Sequence, residues 1–221
     1  MQTDDKSPKN IPVLTPYNPL DKKNLGAQVM SALLKEPVHS LPPSKFIGAG
    51  VYAIYYKGVF ETYQPISCRD DNYYTPIYVG KAVPEGARKA GKGLAVDQGF
   101  ALYRRLNDHA KSIEAATNLR LEDFKCQFLA TDDIWIPLAE TILIEKFLPL
   151  WNCLLEVFGN HAPGKGRKDM ITPAWDCYHP GREWSKHLKP HSKTREQLDV
   201  DIRDFLRQRA CRLYSTVNEV L

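Results

Sequence analysis

Between Gly48 and Phe158 lies the pattern that most narrows the folds open to this chain: strand-like runs and helical periodicities alternate over little more than a hundred residues. GVYAIYY at 50–56, PIYVG at 76–80 and FKCQFLA at 124–130 have the length and the aromatic and β-branched content of strands. Leu102, Leu106 and Ile113, and later Ile136, Leu143, Ile144 and Phe147, recur at three- and four-residue intervals and mark two helix faces. The pattern predicts an α+β fold, a small mixed or antiparallel sheet flanked by helices. It divides the chain into an N-terminal arm (1–45), a compact core (46–158) and a basic C-terminal extension (159–221). The extension ends in an amphipathic helix with Leu198, Ile202, Phe205 and Leu206 on one face.

With 43% hydrophobic and 25% charged residues in a chain of 221, composition is that of a folded protein rather than a disordered or fibrous one. The formal net charge of +4 permits a polyanionic partner without requiring one. Its distribution says more, because residues 160–195 hold eight basic against three acidic side chains. Five cysteines without a CxxC pair read as reduced thiols, and the start MQTDDKSPKN lacks the basic and apolar pattern of a signal peptide. The expected location is the cytoplasm, with no membrane partner.

Four positions stand out chemically. Arg105 and His109 are four apart on the same helix face as Leu102 and Leu106. Glu140 falls inside the second apolar stripe, where a carboxylate requires a partner. Asn152 follows Trp151 at the turn that Pro149 imposes, 12 positions beyond Glu140. Tyrosines on strands, and a histidine on an apolar helix face, are ordinary packing residues when taken singly. In the extension, Cys177, His179, His187 and His191 have the atom types of zinc ligands, although their spacing matches no common zinc module.

Taken in order, GVY, PIYVGKA, Arg105-Leu-x-x-His109 and the ETILIEKFLPLWN segment from Glu140 to Asn152 resemble the GIY-YIG nuclease superfamily. The chain departs from the usual tight hairpin between the two tyrosine motifs, since Tyr52 and Tyr78 are 26 positions apart. A second insertion, Pro84–Gly99, carries Arg88, Lys89 and Lys92. With these insertions, the arm and the basic extension, it looks most like the superfamily's type II restriction endonucleases, in particular those similar to enzymes cutting CCGCGG.

The resemblance implies catalytic roles for Tyr52, Tyr78, Lys81, Arg105, His109, Glu140 and Asn152. Glu140 would be the metal ligand, for Mg²⁺ or Mn²⁺, with water and phosphate completing the shell. Arg105 would hold phosphate oxygens in its fork. Tyr52 or His109 would take a proton from water, a choice that stays open here, and a phenol with an ordinary pKa near 10 would need Lys81, Arg105 and the cation to lower it. Arg88, Lys89, Lys92, Arg104, Lys165, Arg167, Lys168 and Arg182 are expected DNA contacts. Cutting both strands of a palindrome suits a homodimer, with the arm and the last helix as candidate interfaces. Two other functions fit the same residues: a monomeric nicking nuclease of repair or mobile elements, and a catalytically idle DNA-binding module.

Overall fold

The computed structural model describes residues 18, 20–68, 73, 75–84, 98–159 and 170–218. Arg88, Lys89, Lys92, Lys165, Arg167 and Lys168 lie outside these residues. One four-stranded antiparallel sheet organises the chain, in the order β1-β4-β2-β3, from β1 (His39–Ser40), β2 (Gly50–Tyr56), β3 (Tyr78–Ala82) and β4 (Phe124–Ala130). Strand β2 pairs along its whole length with β4 and is buried at every position. Its unbroken run of apolar and aromatic residues is what a strand covered on both faces requires, and the two-residue period sorts them. Val51, Ala53 and Tyr55 face a cluster containing Leu33 of α1 (Lys22–Lys35) and Ala139 and Leu143 of α3 (Ile136–Phe147). Tyr52, Ile54 and Tyr56 face a cluster with Leu102 and Leu106 of α2 (Ala101–Ala115) and Trp151 of the one-turn α4 (Leu150–Cys153).

The core is the expected α+β fold, and elements from outside residues 46–158 pack on it. Within the supposed arm, α1 packs on α3 and on β4, and β1 forms the sheet edge beside β4. The supposed extension shares the main core. Leu198, Ile202 and Leu206 of α6 (Arg195–Asn218) are buried in the same cluster as Tyr52, together with Trp175 and Tyr178 of α5 (Ala174–Tyr178). The insertion between the tyrosine motifs forms a 3-10 turn at Glu61–Ile66 that packs on α6, with Thr62 Oγ1 donating to Asp199 at 2.6 Å. Amphipathic periodicity specifies that a helix buries one face; it does not say against what. The apolar face of α6 formed by Leu198, Ile202 and Leu206 is thus covered by the chain's own core. No helix among the described residues is long and apolar enough to cross a membrane.

Candidate active site

The register of β2 against β3 builds the site's floor. Tyr52 stands opposite Gly80, so Tyr52, Tyr78 and Gly80 project to the α2 side, while Lys81, opposite Val51, projects to the α3 side. A side chain at Gly80 would meet the Tyr52 hydroxyl, with a Cβ only 2.4 Å from it, so the motif glycine is the space that the phenol occupies. Helix α2 lays Leu102, Leu106 and Ile113 into the core, and one turn of the same face carries Arg105 and His109 over the two tyrosines. Tyr52 Oη and His109 Nε2 are joined by a 2.6 Å hydrogen bond inside the protein, with His109 only 2% exposed. The imidazole stacks on Phe158 at 4.7 Å and meets the edge of Tyr78 at 5.1 Å.

Burial pushes the Tyr52 phenol well above its ordinary value, and the charges of Tyr78 and Glu140 add to this; the charge and hydrogen bond of Arg105 oppose it. Tyr78 is raised for the same first reason, again with Arg105 opposing. In the protein alone the lowering expected from Arg105 is present but smaller than the effect of burial. Desolvation outweighs the guanidinium, and Lys81 is engaged elsewhere. Its Nζ donates to Glu140 Oε2 at 2.6 Å, the partner that a carboxylate in an apolar helix stripe demanded. Glu140 reaches from α3, which packs against β3, close enough for its charge to act on both tyrosines. Tyr52, Tyr78 and Arg105 thus gather on the α2 side of β3, and Glu140, held by Lys81 on the α3 side, acts on both tyrosines through its charge.

Beside them opens a cleft of about 460 Å³ whose lining includes Lys81, Gln98, Phe100, Arg104, Arg105 and Asp108. Arg104, exposed on α2, faces this cleft, consistent with its expected place beside DNA. Two other expected residues are placed differently. Asn152 lies within α4 and spends both ends of its amide on β3, accepting from Val79 N and donating to Val79 O, each at 2.8 Å. It braces the strand between Tyr78 and Gly80. Arg182, expected on DNA, is 5% exposed and ion-paired with Asp176. The zinc reading also falls. The two ring nitrogens of buried His179 are taken by Tyr63 Oη and Asn118 Oδ1, and no group of three or more candidate ligands occurs among the described residues.

The sequence reading missed the back wall. Besides Phe158, it includes Gly159, whose carbonyl accepts from Arg105 Nη2 at 2.5 Å. A Cβ at Gly159 would lie 2.5 Å from the Tyr78 hydroxyl and 2.9 Å from Arg105 Nη2. A lone Phe-Gly at the end of an apolar run was the only signal it left.

Residues 44–206, from before β2 into α6, match the model of the Eco29kI GIY-YIG domain. The chain belongs to that family. No curated protein matches it closely enough to report. As an Eco29kI-type GIY-YIG domain, the protein is a restriction-endonuclease-like DNA endonuclease, a hydrolase that binds DNA. The family match continues to residue 206, in keeping with a core that includes α5 and the first half of α6. Toward a hard divalent cation this GIY-YIG site offers one partly exposed carboxylate, that of Glu140, held through Oε2 by Lys81, whose side chain also lines the cleft; the other ligands would be water and phosphate oxygens.

Proposed function

We propose that the protein is a type II restriction endonuclease making metal-dependent double-strand cuts in a short, palindromic, G·C-rich DNA site, the specificity of CCGCGG-cutting enzymes being the nearest model. The observation that carries the chemistry is the buried Tyr52–His109 hydrogen bond facing Arg105 and Glu140. A phenol held neutral by burial gives up its proton only to a partner already in contact, and His109 Nε2 is that partner. Tyr52 takes a proton from the attacking water as its own passes to His109, so the phenol ends neutral and the imidazole carries the positive charge, while the Arg105 guanidinium, bonded to the phenol oxygen, stabilises the negative charge that builds on the phosphate. Tyr78 and Arg105 line the place of the phosphate, and Lys81 fixes the Glu140 carboxylate. Mg²⁺ or Mn²⁺ bound at Glu140 would supply positive charge for the phosphate and the leaving oxygen.

DNA lies along the cleft, with Arg104 and Lys81 at its wall. Arg88, Lys89 and Lys92 are assigned to DNA because the described residues flanking their segment, Val83 and Gln98, both line that cleft. Lys165, Arg167 and Lys168, six to nine positions after Gly159 in the basic stretch 160–195, are assigned to phosphates. Symmetric cutting of a palindrome calls for a homodimer in the cytoplasm, one site per strand. Incubation with supercoiled plasmid in Mg²⁺, followed by sequencing of the ends, tests the reading. Discrete fragments sharing one palindrome support it. Random nicks point to a repair-type enzyme, and intact plasmid with a gel shift points to a binding module.

A further inference from the structure

The turn WDCYHPGREW at 175–184 has no part in the chemistry above, yet its charged pair reaches the wall of the site. The Arg182 guanidinium grips Asp176 with two bonds, Nε to Oδ1 at 2.7 Å and Nη2 to Oδ2 at 2.5 Å. The rings of Trp175 and Trp184 lie 4.6 and 4.7 Å from its central carbon. Held in this way, Nη1 donates to the carbonyl of Phe158 at 3.0 Å. The next carbonyl along, that of Gly159, holds Arg105, and the Phe158 ring stacks on His109. The same turn is tied to the end of the α2 helix, through Thr117 N to Pro180 O at 2.8 Å and Asn118 Nδ2 to Tyr178 O at 3.0 Å.

Stability alone gives no reason for a charged pair at this place, because a buried ion pair is often replaceable by apolar residues of similar volume without loss. What apolar residues cannot do is hold a carbonyl in a rigid fork. We infer that Arg182, locked by Asp176, is a positioning residue for DNA cleavage, fixing the Phe158–Gly159 segment and through it the His109 imidazole and the Arg105 guanidinium. The inference rests on the roles proposed for His109 and Arg105. Misplacement of a catalytic group by about 1 Å costs roughly 10²-fold in rate, so a small shift of this wall is enough to be read in kinetics.

The test uses the full chain with two variants: Arg182→Met combined with Asp176→Leu, which removes both charges together, and Phe158→Leu, which takes the ring off His109 and leaves the ion pair intact. Single-turnover cleavage in Mg²⁺, DNA affinity measured separately in EDTA, and thermal midpoint are compared with wild type. Both variants are expected to cut about 10- to 100-fold more slowly, with DNA affinity within about twofold and a folded thermal transition. Phe158→Leu added to His109→Ala should cost little further rate. Unchanged rates overturn the inference, as does a loss of rate matched by loss of affinity and fully additive with His109→Ala. If the double variant does not fold, Phe158→Leu and its cycle with His109→Ala decide. A wild-type protein that fails to cut removes the proposed function and this inference with it, whereas cutting that the variants leave untouched removes this inference alone.

Discussion

At the scale of single residues, the site depends on polar atoms shielded from bulk solvent. Tyr52 is wholly buried, so its hydroxyl has value only through His109 and Arg105, and removing the oxygen alone should separate chemistry from folding. Tyr52→Phe is expected to lower the cleavage rate about 10²- to 10⁴-fold with an unchanged circular dichroism spectrum; a spectrum typical of unfolding would make the hydroxyl a structural group instead. Glu140 sits differently, partly exposed and held by Lys81, whose ammonium is itself 37% open to solvent. Glu140→Ala is expected to lower cleavage roughly 10³-fold while gel-shift affinity holds, since Lys81 returns to water without an orphaned buried charge. Equal loss of binding would remove Glu140 from the metal role. Tyr52, Tyr78, Arg105, His109 and Glu140 were legible in the sequence because ordered motifs on β-like and helical runs specify their residue types. The state of the phenol was not legible, since burial by α2 and Phe158 sets it.

At the scale of elements, the segment following the core is bonded into the site's surroundings at many points. His179 is fully buried between the 3-10 turn and the end of the α2 helix, bonded to Tyr63 at 2.5 Å and to Asn118 at 2.9 Å, while Trp151 Nε1 donates to the same Tyr63 hydroxyl. Burial first, and then the charge of Arg195, hold the His179 imidazole well below its ordinary pKa. The unfolded chain therefore takes up a proton at this residue near pH 6.5 while the folded chain does not. The stability tied to neutral His179 is present above that pH and is lost on acidification. The urea midpoint should fall between pH 7.5 and pH 5.5, and His179→Gln should flatten that fall; a slope unchanged by the substitution would exclude His179 as its source. Nothing in the spacing of Tyr63, Asn118, Trp151 and His179 announces this network, because its members come from four separate stretches of chain.

At the scale of the whole molecule, helices before and after residues 46–158 share buried clusters with them. Ile202 is fully buried against the cluster that contains Tyr52 and Trp151, so Ile202→Ala should cost about 2–4 kcal/mol, read as a lowered denaturant midpoint. A chain ending at Phe158 lacks Trp175, Tyr178, Leu198, Ile202 and Leu206 from that cluster and is expected not to fold cooperatively. A sharp thermal transition from such a fragment would restore the independent core. Helical periodicity correctly marked an apolar face on α6, and that face could equally have met a second copy of the chain. Only the packing assigned it to the chain's own core.

The amino-acid sequence by itself determined the α+β class, the strands around Tyr52 and Tyr78, the helices carrying Arg105, His109 and Glu140, and the resemblance that names the chemistry, because local periodicity and ordered residue types suffice for all of these. The tertiary structure alone decided that Asn152 braces β3, that Arg182 is buried against Asp176, that Phe158 and Gly159 wall the site, and that α1, α5 and α6 complete the buried clusters around the sheet. Each of these depends on which distant segment lies opposite, and contact between segments far apart in the chain is set by the whole three-dimensional packing.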